Sequence, residues 1–274
     1  MPELPEVETV VRGLKDCIAG ETIADAIIKP TARVVPEPKT FIRTIKDAAF
    51  KTFARRGKNI LLGLSNGHTL WVHLKMTGHF YYLPESDPTD KHDHVIFKLK
   101  NNNHTLRFND YRRFGYLKLV PTADLWFQKG LADLGPEPLE ITPDEFITLC
   151  KRRGRQIKPA LMDQTFIAGI GNIYADESLY LSRIHPTRLT DSLSHAKLTE
   201  LLGHIQYLLK RSISLMGTSV DTFAGVNGQP GEFQTYLKVY NREAEPCERC
   251  GKPIKRIKLG SRSAHFCPHC QRRR

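Results

Sequence analysis

Two patterns of apolar and polar positions divide this chain. Through the first half, short strand-like runs recur at 23–28, 50–53, 60–64, 70–74, 80–83, 95–99, 105–108 and 116–120. Ser65-Asn66-Gly67 and Asn101-Asn102-Asn103 interrupt them where hairpin turns belong. Residues 6–15 precede the strands as a helix, with Pro5 in its first turn, Glu6 and Glu8 near its positive end and Gly20 beyond. Residues 1–131 are therefore expected to form one helix and a β-sandwich or flattened barrel. The segment Leu134-Gly135-Pro136-Glu137-Pro138 breaks the pattern, so 132–140 reads as a hinge. Beyond it the period becomes helical. Thr142-Pro143-Asp144-Glu145 is a capping box ahead of Phe146, Ile147 and Leu149. Further helices are expected at 157–163, 174–182 and 194–216. In the last, Leu198, Leu201, Leu202, Ile205, Leu208, Leu209 and Ile213 make one core-facing stripe, with Gly217 just past the end.

Charge narrows the partner. Lys and Arg number 41 against 29 Asp and Glu, a formal net charge of +12. Residues 247–274 hold nine of the cations and one acid, Glu248. Such a block favours a polyanion, and nucleic acid is the commonest. Within it, Cys247-x2-Cys250 and Cys267-x2-Cys270, separated by sixteen residues, have the spacing of a structural tetrathiolate zinc site on a ribbon of short strands. Four thiolates leave no open position, so one Zn2+ is expected to fold a module too poor in apolar residues to fold alone. Two disulfides are the alternative. The chain shows no secretory signal and no apolar run long enough to span a bilayer, which points to a reducing cytoplasm. Cys17 and Cys150 then read as ordinary half-buried thiols.

The N-terminus offers chemistry of its own. Removal of Met1 would give Pro2 a free secondary amine. An α-amine titrates near pH ~8 against ~10.4 for lysine, so far more of it is the neutral nucleophile at pH 7. Attack on an aldehydic carbon yields an iminium that is already cationic. Glu3 stands next to it as an acid or base, and Glu6 follows three residues later. The competing role for Pro2 is to permit methionine removal, with the glutamates solvating a frayed end. Farther on, Gly169-Ile170-Gly171-Asn172 precedes a helix whose exposed amides suit a phosphate. Lys151, Arg152, Arg153, Arg155 and Lys158 lie just upstream. A plain interhelical turn fits this segment equally well.

Several motifs recur in a fixed order: the opening Pro2-Glu3-Leu4-Pro5-Glu6-Val7-Glu8-Thr9, Gly57-Lys58-Asn59, Leu74-Lys75-Met76-Thr77-Gly78, Lys91-His92-Asp93-His94, Asn109-Asp110-Tyr111-Arg112-Arg113-Phe114-Gly115, the 169–176 segment and the cysteine ribbon. In these the chain resembles, over essentially its whole length, the bacterial formamidopyrimidine-DNA glycosylase (Fpg/Nei) family. The resemblance implies an α+β multidomain fold: an N-terminal helix plus β-sandwich (1–131), a hinge (132–140), a helix-two-turns-helix domain (141–244) with a lesion-capping loop (218–233), and a zinc ribbon (245–274). It implies a monomeric, bifunctional glycosylase and lyase acting on double-stranded DNA with oxidised purines or abasic sites, in the cytoplasm and on the nucleoid.

Residue by residue, the resemblance makes Pro2 the nucleophile, Glu3 the acid/base at the sugar, and Glu6 an aid to proton movement. Lys58 serves β-elimination and Arg262 contacts phosphate in δ-elimination. Met76, Arg112 and Phe114 fill the place of the extruded nucleotide. His92, Arg112, Arg153, Lys158 and Asn172 contact the DNA backbone, His73 and Tyr240 follow as weaker candidates, and the four cysteines hold zinc. Three positions depart from the family pattern: Tyr111 stands for proline, Asn241 for glycine, and Ser263-Ala264 for a small-residue/threonine pair. Two rivals remain open. One is an endonuclease VIII-like enzyme for oxidised pyrimidines, against which Leu4 and the Met76/Arg112/Phe114 set argue. The other is a non-catalytic zinc-ribbon DNA-binding protein.

Overall fold

The computed structural model describes residues 1–274 apart from 101, 153, 221, 222, 227 and 274. It divides into two compact units, Met1–Ala132 with Leu215–Glu232, and Asp133–Ser214 with Phe233–Arg274.

In the first unit, helix α1 (Leu4–Ile18) is followed by β1 (Ile23–Ile28), β2 (Val34–Val35), α2 (Pro38–Ile45), β3 (Phe50–Arg56), β4 (Asn59–Leu64), β5 (His68–His73), β6 (Gly78–Pro84), β7 (Asp93–Leu99), β8 (His104–Asp110) and β9 (Tyr116–Pro121). The strands form two sheets, ordered β1-β7-β8-β6 and β2-β9-β5-β4-β3. Ile60, Leu62, Leu70, Val72, Val95, Phe97, Leu106 and Leu117 from the two sheets share one buried cluster with α1. Val7, Val10, Val11, Leu14 and Ile18 supply the helix's share, spaced so that one face is apolar.

Helix α1 extends beyond the expected 6–15 at both ends. A capping box between Glu3 and Glu6 starts it early, with Pro5 in the first turn, where a missing N–H costs nothing. Helix α2 is absent from the sequence reading because it has eight residues and buries only Phe41 and Ile45, too little for a periodic signal.

The second unit carries α3 (Pro143–Arg152), α4 (Ile157–Met162), α5 (Asn172–Leu181), α6 (His195–Ser214), and a hairpin of β10 (Lys255–Leu259) and β11 (Arg262–Phe266). Its grouping differs from the expected boundaries in two respects. Most of the 218–233 segment folds with the first unit rather than the helices: Thr218 bonds to Glu6, and Val226 sits in the sandwich core against Gly13. The ribbon shares its core with the helical region, where Cys247, Ile254 and Cys267 pack with Tyr180 and Val239. Among the described residues no helix is long and apolar enough to cross a membrane.

Candidate active site and nucleic-acid interface

Helix-capping physics assembles the head of α1. Glu3 is the N-cap, and its main-chain N–H donates to Glu6 Oε2 at 2.8 Å while its side chain accepts from the Glu6 N–H. The other Glu6 oxygen, Oε1, accepts the Thr218 N–H at 2.8 Å. Glu3 and Glu6 are nearly inaccessible, at 3% and 2% exposure, and their carboxylates accept peptide N–H groups. Gly217 is required here. Its φ is +85°, and a Cβ would lie 3.1 Å from Glu6 Cγ and Oε1. Pro2 is buried beside this network.

Gly57 and Lys58 form the two-residue turn between β3 and β4, Gly57 with φ +55°. Arg55 fixes that turn to α1: its Nε lies 3.2 Å from Glu8 Oε2, and its Nη1 donates to the Gly57 carbonyl at 3.0 Å. Lys58 is thereby held at a buried hairpin tip, 5% exposed. His73 lies within its field. Burial first, then the charges of Lys75 and Lys58, push the imidazole pKa down to about 3. The neutral ring accepts the Lys75 N–H on Nδ1 at 2.9 Å, so in this structure His73 shapes the turn before Met76.

Met76, Arg112 and Phe114 come together at the surface. Arg112 Nη1 lies 3.1 Å from Met76 Sδ, and its guanidinium sits 5.1 Å from the Phe114 ring centre. Met76 is 36% and Phe114 45% exposed, an apolar pair with a cation between them and no core to serve. His92 donates its N–H to Asp90 Oδ1 at 2.7 Å, and its ring meets Tyr111 edge-on at 6.4 Å.

In the second unit, Asn172 opens α5 directly after Gly171, with Gly169 at φ +84°. Arg262 is exposed at the first position of β11, beside the hairpin turn. Tyr240 packs edge-on against His265 at 5.4 Å, its N–H bound by Glu177 Oε1 at 2.8 Å. Glu177 also takes the N–H groups of Lys238 and Val239, each at 2.9 Å. Arg153 lies outside the described residues.

Lys158, expected to contact the DNA backbone, is instead a buried, ion-paired lysine. It is 1% exposed, with Nζ 2.6 Å from Asp176 Oδ1 and bonded to the Ser263 carbonyl. Asp176 Oδ2 accepts the His265 N–H at 3.0 Å. Lys158 thus locks β11 to α4 and α5 and presents no charge to a phosphate. Asn241 has φ +59°, a left-handed conformation that asparagine tolerates, so its replacement of glycine leaves the turn intact.

The four ribbon sulfurs all lie within 4.8 Å of one another, with Cys247–Cys270 at 3.9 Å and Cys250–Cys267 at 3.5 Å. A tetrahedron with Zn–S of about 2.3 Å separates its sulfurs by about 3.8 Å, whereas a disulfide needs about 2.05 Å. The quartet fits a zinc ion. Cys150 is fully buried rather than half-buried, and burial pushes its thiol pKa up to about 12.

Three family models match in chain order: the Formamidopyrimidine-DNA glycosylase N-terminal domain over residues 1–117, the Formamidopyrimidine-DNA glycosylase H2TH domain over 134–224, and a zinc finger found in FPG and IleRS over 244–273. A protein named formamidopyrimidine-DNA glycosylase from Pelotomaculum thermopropionicum is 47% identical over 275 residues, covering 99% of each chain. The chain belongs to the formamidopyrimidine-DNA glycosylase family. Solved relatives agree. Wild-type Lactococcus lactis Fpg bound to DNA containing N7-benzyl-Fapy-dG matches with a TM-score of 0.92 at 33% identity, over 99% of this chain and 100% of that one. The same protein bound to DNA with an abasic site matches at 0.93, over 98% and 99%. Membership bears out the expected fold class, with its helix-two-turns-helix part and zinc finger. It makes the chain a DNA glycosylase carrying one structural zinc.

Sequence reasoning missed Thr218, Asp110, Asp176 and Glu177. Each makes at least one contact distant in sequence, and the glycines at 78, 115 and 217 hint only at the close packing around Asp110 and Thr218.

Proposed function

We propose that this glycosylase removes oxidised purines from duplex DNA through Pro2 and then cuts the strand on both sides of the lesion. With Met1 removed, the Pro2 nitrogen lone pair bonds to C1′ as the glycosidic bond breaks; the base leaves with the glycosidic electron pair and takes up a proton, and the Pro2 nitrogen sheds its own proton. Glu3 protonates O4′ as the C1′–O4′ bond opens, and the cationic iminium remains. Loss of a C2′ proton then expels the 3′ phosphate, and a second elimination expels the 5′ phosphate. Lys58 serves the first elimination. Arg262, which hardly loses its proton, acts on the second by charge.

The observation that carries this reading is the buried Glu3–Glu6–Thr218 network beside Pro2. An α-amine ordinarily titrates near pH ~8, so a useful share of it is the neutral nucleophile near neutral pH. The network also ties the start of the 218–233 segment to the reacting end of the chain, which suits a loop that closes over an extruded base. Met76, Arg112 and Phe114 fill the vacated stack. His92, Arg153, Asn172 and Tyr240 are the proposed backbone contacts, and the enzyme works in the cytoplasm on the nucleoid. Gel analysis of an 8-oxoguanine:cytosine duplex tests this. The expected product is a one-nucleotide gap with phosphate on both ends. Release of base without strand cleavage, or preference for an oxidised pyrimidine, contradicts it.

A further inference from the structure

Two connections cross between the sheets side by side, because Gly78 at the start of β6 pairs with Asp110 at the end of β8, and His73 at the end of β5 pairs with Tyr116 at the start of β9. One connection carries Met76 and the other carries Arg112 and Phe114. Between them lies Asp110, 1% exposed. Its Oδ1 accepts from the Thr77 hydroxyl and from the Arg112 N–H at 3.2 Å, and its Oδ2 accepts the Gly115 N–H at 2.7 Å. Thr77 Oγ1 also lies 3.3 Å from the Arg112 nitrogen. The Asp110 main chain is fixed as well: its N–H donates to the His92 carbonyl at 3.0 Å and its carbonyl accepts from His94 Nε2 at 2.9 Å.

Close approach at this point is enforced by two glycines. A Cβ at Gly115 would lie 2.6 Å from Phe108 Cζ and 3.1 Å from Asp110 Oδ2, and one at Gly78 would lie 2.5 Å from the Leu74 carbonyl oxygen. Thr77 is 4% exposed and directs its hydroxyl at a buried carboxylate. A carboxylate taken out of water in this way is retained at a cost unless every donor is well placed, and here one carboxylate collects donors from both loops.

We propose that Asp110, acting through Thr77, is a positioning residue that makes Met76, Arg112 and Phe114 one preformed insertion unit. The inference rests on the insertion role given to those three residues above. Two separately mobile loops would have to be ordered each time the enzyme enters a base stack; a shared carboxylate orders them beforehand.

Thr77→Val keeps the shape and removes only the hydroxyl, and Asp110→Asn keeps the size but turns one acceptor into a donor facing either the Arg112 or the Gly115 N–H. In the zinc-loaded full chain, each is expected to lower kcat/KM for lesion excision from a duplex about tenfold or more. Cleavage at an abasic site in a single-stranded oligonucleotide, which needs no insertion, should change less than about twofold. Amide exchange at Arg112 and Gly115 should quicken. In a Met76→Ala/Arg112→Ala/Phe114→Ala background, Thr77→Val should add no further loss. Duplex excision by Thr77→Val equal to the parent, or equal losses on both substrates, overturns the proposal. If the triple alanine variant itself excises normally, the insertion role falls and takes the inference with it. If that variant is impaired and Thr77→Val is not, the coupling alone falls.

Discussion

The head of α1 and the cysteine ribbon both gather ionisable groups, yet different forces hold them. At α1, both oxygens of the Glu6 carboxylate accept peptide N–H groups at 2.8 Å and the Glu3 carboxylate caps the helix, whose apolar face lies in the sandwich core. In the ribbon, four thiols converge on a small cluster of Cys247, Ile254, Cys267, Tyr180 and Val239. Core packing organises the first without an ion. The second depends on zinc, because so few apolar residues cannot offset the ordering of its hairpin. Chemistry and DNA anchorage should therefore fail separately.

The sharpest separation comes from Glu3→Gln, expected to lower base release about a thousandfold while DNA affinity measured by anisotropy stays within about twofold. Zinc removal by a chelator, or Cys250→Ala, should do the reverse. Affinity should fall about a hundredfold with a shallower salt dependence, while amide exchange at Glu3 and Thr218 is unchanged. Loss of protection at the α1 head on zinc removal would break the comparison.

Glu6→Ala removes the carboxylate that accepts the buried Glu3 and Thr218 N–H groups and should cost about 2 kcal/mol in denaturant unfolding. His73 adds a pH test. Its folded pKa of about 3 lies below the ordinary value of 6.5, so its contribution is complete above pH ~6.5 and is lost as pH falls toward 3. His73→Asn should flatten the stability profile across that window and leave it unaltered above pH ~7. The smallest effect belongs to Asn241→Gly, which should shift stability by less than about 1 kcal/mol, since the left-handed turn suits both residues.

How legible these regions were in the sequence follows from the range of their contacts. The cysteine quartet is local: two x2 spacings predict a site whose sulfurs do converge. The α6 stripe is periodic and buries Leu198, Leu201, Leu202, Ile205, Leu208 and Leu209 as expected. Glu6 was visible as a first-turn acid, but its bond to Thr218 spans 212 positions, and no local pattern reports it. The same blindness hides that the segment after Gly217 packs with the first unit. Lys158 shows the converse. Among neighbouring cations it reads as one more phosphate contact, and only the fold reveals the buried Asp176 that claims it. Asp110 was plain in its motif, but its role depends on a second loop thirty-three residues away in sequence.

The proposed chemistry rests on the Pro2 amine as nucleophile. Borohydride trapping of the Met1-processed protein on an 8-oxoguanine:cytosine duplex tests it most directly. The expected result is a covalent protein–DNA adduct that maps to Pro2 and disappears in Pro2→Gly, while Lys58→Ala still forms it. An adduct that survives Pro2→Gly, or maps to Lys58, would contradict it.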